Sequence, residues 1–189
     1  MNDRFRNTIT SFDQENAADP NLEEDGGVSY PKELLYAQRM NACLLDFEPQ
    51  ASEVLRLAVR CQHIRRWQIS RNSFSEDRKG YLMWRSKLKE MHAQIAGEIM
   101  ESHGYDNDTI DRVKKLLLKK GLKTDPEVQV LEDVICIVFL KYYFKDFSLK
   151  HDSDKLKNIL LKTLNKMSDK GIAHAKSLPD AQQFLTYLA

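Results

Sequence analysis

The sequence has almost no net charge. Its 29 lysines and arginines against 28 aspartates and glutamates leave a formal charge of +1 over 189 residues. No global field therefore draws the chain to nucleic acid or to an anionic membrane, and any anion recognition must be local. A run of 18 apolar residues, which a membrane-spanning helix needs, is also missing. The opening residues, Met1-Asn2-Asp3-Arg4-Phe5-Arg6, lead into polar sequence, so no secretory signal is expected there. A cytoplasmic protein with no membrane partner is the expectation. Cysteine is scarce: Cys43, Cys61 and Cys136 lie far apart and lack the paired spacing of a zinc site. They read as buried free thiols in a reducing compartment. No Gly-rich phosphate loop, serine elbow, Cys-His pair or HExxH spacing occurs, which removes the short catalytic signatures.

No alternating strand pattern and no internal repeat stand out, and what remains is helical. Phe5, Ile9 and Phe12 recur at helical spacing before a polar stretch from Asp19 to Gly27 that reads as a loop. Pro31 sits where a first helical residue belongs, opening a helix that stops before Pro49. The next helix is predicted from about Gln50 to Gln68. A polar loop from Ser70 to Gly80 separates it from a long helix carrying Trp84, Leu88, Met91, Ile95 and Ile99, ending near Gly104. Asp106 and Asp125-Pro126 mark two further N-termini, Asp152 or Ser153 another, and Pro179 opens a last short helix to Leu188. The prediction is all-α: one domain over residues 1–189, an irregular or orthogonal bundle of about seven helices. The docking of residues 1–30, a helix and a loop, is left open. A chain of this length buries about 70% of its unfolded surface in one core.

Chemistry enters through polar groups on apolar faces. Glu132 and Asp133 are adjacent carboxylates in the most apolar helix, where a buried charge needs a cation, a metal or several hydrogen bonds. Read as helical, His63 shares its face with Arg60, Arg66 and Trp67, and cationic neighbours favour its neutral form. His92 lies among Leu88, Ile95, Ala96 and Ile99. Two buried histidines and Asp133, from three helices, are what a small bundle would converge on to hold a divalent metal such as Mn, Fe, Zn, Ni or Co. The same three residues, closed by arginines, equally make a structural hydrogen-bond network with no metal. Basic groups form a second constellation: Arg66 and Arg71 flank the His63-Trp67 segment where it opens into the polar loop, and Lys120 and Lys123 belong to the run after Lys114. These suit phosphate contact. As a run, the lysines also fit a solvated helix stripe.

The strings from Arg60 to Trp67, Tyr81 to Arg85, Lys123 to Asp133 and Lys166 to Ser168, with Asp19-Pro20-Asn21 and Tyr36 to Met40, resemble an uncharacterised family, the domain of unknown function 4202. That resemblance implies no established activity. A more distant one is to the HD-domain metal-dependent phosphohydrolases, all-α proteins whose ligands are a His, a His-Asp dyad and a later Asp. It implies an HD-like fold with His63, His92 and Asp133 as metal ligands. Ala93 stands where the dyad aspartate belongs, which leaves Asp133 as the one carboxylate of that set, with Glu132 or Glu98 as base or extra ligand.

Two functional expectations follow. The first is a metal-dependent hydrolase of a phosphorylated, nucleotide-like small molecule, with Arg66, Arg71, Lys120 and Lys123 on the substrate. The second is a non-enzymatic module binding a phosphate ligand or RNA, with the His-Asp group structural. No heptad seam or exposed apolar stripe specifies an oligomeric state.

Overall fold

Capping residues decide where most of the helices begin. In the computed structural model, which describes residues 3–188, Ser52, Asp77, Asp106, Asp125, Asp152 and Ser168 each precede a helix and accept a hydrogen bond from its first turn. The described residues form ten α-helices and one two-stranded hairpin, an all-α fold. They pack as two compact units, one from Met1–Asn41 with Ala51–Lys120, the other from Ala42–Gln50 with Gly121–Ala189.

In the first unit α1 (Asp3–Ala17) buries Phe5, Thr8, Phe12 and Asn16. The stretch read as a loop instead pairs β1 (Leu22–Asp25) with β2 (Val28–Pro31), antiparallel, around Gly26-Gly27. Both glycines have positive φ, 58° and 81°, the conformation that a two-residue hairpin turn demands. The strands are polar and mostly exposed, so there was no alternation to see; Arg39 secures them through Glu23 and Asp25. Pro31 ends β2, and α2 (Lys32–Phe47), of which the part up to Asn41 belongs to this unit, starts one residue later. The helix expected over residues 50–68 is a second correction. α3 spans only Glu53–Arg60, and the chain then turns through Arg65 in the left-handed region, φ 51°, into a short 3-10 turn at Arg66–Gln68. That turn is held from α1: Asn16 Oδ1 accepts from the Arg65 amide at 3.2 Å, and Glu15 pairs with the Arg65 guanidinium. A second 3-10 turn, Arg71–Ser73, leads to α4 (Arg78–Ser102), which packs along α5 (Asn107–Leu117).

In the second unit α6 (Pro126–Val138) opens on Asp125-Pro126 as read from the sequence, and runs through a π-helical turn, Phe139–Tyr143, into α7 (Phe144–Ser148). α8 (Ser153–Leu164) follows. α9 (Asp169–Lys176), unforeseen in the sequence, stands on its Ser168 cap, and α10 (Gln182–Leu185) is a single turn. The three cysteines are buried thiols that form no disulfide among the described residues, as expected. No helix among the described residues is long and apolar enough to cross a membrane.

Candidate functional site

The turn after α3 builds the site in the first unit. Because the helix ends at Arg60, His63 lies in the bend, where its ring stacks on Tyr36 of α2, centroids 4.1 Å apart. Its neighbours therefore come from tertiary packing rather than from one helical face. Arg66 Nη1 donates to His63 Nε2 at 3.0 Å, and an arginine can only donate, so Nε2 carries the lone pair. The proton is on Nδ1, which donates to Glu33 Oε2 at 3.2 Å. His92, one face of α4 with Arg85 and Lys89, donates from Nδ1 to the Ile64 carbonyl at 2.7 Å, which leaves Nε2 as its lone-pair atom. The two imidazole centroids are 5.9 Å apart. Arg66 also lies over the Trp84 ring at 4.9 Å, and Trp84 Nε1 donates to the Ile69 carbonyl, so indole and bend fix one another.

A small cavity opens among these groups. Gln62, His63, Arg66, Arg85, Leu88, Lys89, His92 and Lys119 line it: four cations, two imidazoles and no carboxylate among the lining residues. Its volume of about 10 Å³ admits one water-sized atom. Gln62 is 5% exposed, and its Oε1 is buried with no hydrogen-bond partner among the described residues. An amide left this way costs about 1–3 kcal/mol unless a ligand or a water completes it. Lys119 reaches the cavity from an unusual place. Its amide bonds to Leu116 O and that of Lys120 to Lys115 O, a closure of α5 that puts Lys119 at φ 56°, where glycine is the ordinary occupant.

Electrostatics agree with that lining. Burial, then Arg66, Arg85, Lys119 and Lys32, hold His63 well below its usual value, and burial followed by His63 pushes His92 down to about 3. Both rings are neutral at pH 7. Glu33, buried behind His63, is pushed up to about 7, chiefly by burial, with Arg66 opposing. The pocket is a positive well with neutral walls. It suits an oxyanion. At about 3, His92 is a free but weak base at neutral pH, poorly matched to drawing off a proton there.

The remaining sequence-predicted residues lie elsewhere. Arg71 donates to the Phe74 carbonyl within its own turn, at 3.1 Å. Lys120 is exposed at the end of α5, whereas Lys123 belongs to the second unit and donates to the Met167 carbonyl. Glu132 and Asp133 are both buried in α6. Lys166 approaches Glu132 at 3.8 Å. Asp133 accepts from the Ser168 amide at 2.8 Å, from Ser168 Oγ at 2.6 Å and from Gln129 Nε2 at 3.1 Å. Two donors from Ser168, at the start of α9, and one from Gln129 of α6 satisfy that carboxylate inside its own unit. The donors proposed for a divalent cation thus divide: Asp133 is engaged by Ser168, both ring nitrogens of His63 are engaged, and cations surround His92. This donor set fits an anion better than a metal. Among the described residues no group of three or more His, Cys, Asp or Glu is placed to hold a metal ion. Glu33, Gln62, Arg85 and Lys89 were missed in the sequence, since nothing in local spacing ties residues 33, 62 and 85–92 to one bend.

The family comparison covers nearly the whole chain. The model of an uncharacterised family, Domain of unknown function (DUF4202), matches residues 6–186, and the chain belongs to that family. No curated protein and no solved structure matches it.

Proposed function

We propose that this DUF4202 member is a binding module for a phosphorylated small molecule, whose phosphate sits over the bend between α3 and α4. The observation that supports this reading most is the convergence of Arg66, Arg85, Lys89 and Lys119 on one cavity floored by two neutral histidines, beside the unpartnered Gln62 oxygen. A terminal phosphate oxygen fits the floor, and the long cationic side chains close on the others. Each charge-assisted hydrogen bond contributes about 1.5–3 kcal/mol. The Gln62 Oε1 acceptor asks for a donor, which the hydroxyl of a phosphate monoanion or an adjacent sugar supplies; a half-turn of the amide presents its NH2 to an oxyanion instead.

Equilibrium binding of inorganic phosphate, pyrophosphate, nucleoside monophosphates and a short single-stranded RNA tests this reading. Chelator-treated wild-type protein should bind at least one of the small phosphates, and Arg85→Ala should weaken it at least about tenfold. Binding that appears only with added Mn, Fe, Zn, Ni or Co would overturn the reading in favour of a metal-dependent hydrolase. RNA bound far more tightly than any mononucleotide, with a steep salt dependence, would replace it by an RNA-binding one.

A further inference from the structure

A second basic pocket lies in the same unit, between α1 and α3, and is chemically unlike the first. Phe5, Arg6, Ile9 and Thr10 from α1, Asn41 from α2, and Arg56 and Arg60 from α3 line a cavity of about 390 Å³, large enough for a small organic ligand. Its charges are not equivalent. Arg60 is matched, gripping Asp13 with Nε on Oδ1 and Nη2 on Oδ2, both at 2.6 Å. Arg6 pairs with Asp3 at the exposed rim. Arg56 differs: its guanidinium lies over the Phe5 ring at 5.2 Å, and its Nε is buried without a hydrogen-bond partner among the described residues. A buried guanidinium N–H with no acceptor is an uncompensated cost, and an acceptor supplied by a ligand removes it.

We infer that this groove is a ligand site for a small anion carrying an apolar body, an aryl or alkyl phosphate or carboxylate, with Arg56 as its anchor. Phe5 and Ile9 supply apolar wall for the body. Arg56 and Arg6 supply donors for the oxyanion, and Asn41 and Thr10 add polar edges. This is independent of the His63 pocket, with which it shares no lining residue.

The test uses full-length protein with phenyl phosphate as the probe, read by the Arg56 Nε–H signal in 15N-resolved NMR. The expected result is a saturable displacement of that signal by phenyl phosphate, at least about tenfold weaker for inorganic phosphate or benzyl alcohol. Arg56→Gln should weaken binding about tenfold or more. Ile9→Trp, which fills the groove and leaves every charge in place, should abolish it; backbone amide shifts then show that the fold persists. Arg85→Ala should leave phenyl phosphate on Arg56 unaffected, which separates this site from the one over the α3–α4 bend. No displacement over the millimolar range, equal response to inorganic phosphate, or binding that survives Ile9→Trp in a folded variant would each overturn the proposal.

Discussion

His63 shows how much one turn changes the meaning of a residue. Placed on a helix to Gln68, it would share a face with Arg60; placed in the bend after Arg60, it reaches Glu33, Tyr36, Arg66 and His92. His63 is held neutral first by burial, then by Arg66, the one cation of its sequence neighbourhood that contributes, with Arg85, Lys119 and Lys32 added by the fold. The bend was illegible because α3 ends at a Cys61 C-cap with no glycine or proline to mark it, and Arg65, which turns the chain at positive φ into the 3-10 turn, is not a glycine either. Lys119 is a similar case. A non-glycine residue in the left-handed region costs about 1 kcal/mol or more. Lys119→Gly should therefore keep or raise the thermal midpoint while weakening phosphate binding several-fold, a separation that calorimetry and binding on the same sample would reveal. Protons at this cluster oppose one another. The two histidines, neutral in the fold, take up protons once unfolded. Below their usual 6.5 the unfolded chain thus binds more protons, and stability falls with pH, for His92 down to about 3. Glu33 runs the other way: its folded value of about 7 exceeds its usual 4.5, so its contribution is complete below 4.5 and is lost as pH rises through about 7. Glu33→Gln removes that opposition. Between pH 4.5 and 6.5 its denaturation free energy should rise more steeply with pH than that of the wild type, by up to about 1.4 kcal/mol per unit; equal slopes would contradict the assignment.

At the scale of elements, Asp133 of α6 finds its explanation in the cap of α9, while its neighbour Glu132 faces Lys166. Asp133 caps nothing in its own helix; it receives the amide and hydroxyl of Ser168, and Ser168 Oγ in turn accepts from the Gly171 amide at 3.0 Å. A carboxylate at a helix N-terminus is favourably placed against the helix dipole. Gly171 permits the close approach, since a Cβ there would stand 2.6 Å from Asp133 Cγ. Gly171→Ala should destabilise the protein by about 1–3 kcal/mol in urea titrations. Asp133→Asn should cost a comparable amount, through weaker bonds to Ser168, while leaving phosphate affinity at the His63 pocket within about twofold. Loss of phosphate binding in a folded Asp133→Asn protein would return that residue to the site. Helix starts were the readable part of this fold, because Asp106, Asp125-Pro126 and Asp152 carry their chemistry locally. The hairpin was not, because polar, exposed strands lack the period-two pattern, and Gly26-Gly27 was its only mark.

Over the whole molecule, a charge near zero conceals a strong local imbalance. Twenty-nine basic and 28 acidic groups cancel in sum, yet four cations and no carboxylate line the His63 cavity. Composition could therefore state that anion recognition must be local, without showing where. Spacing pointed to the two histidines and to Arg66, and stopped there, since Glu33, Arg85 and Lys89 join them only through folding. The most direct test follows the imidazole nitrogen signals of His63 and His92 in chelator-treated protein at pH 7, as inorganic phosphate and then Zn or Mn are added separately. Phosphate alone should shift both rings saturably, from the neutral tautomers protonated at Nδ1, and the response should vanish in Arg66→Ala with Arg85→Ala. Rings that ignore phosphate and respond to the metal alone would contradict an anion site and restore the metal centre.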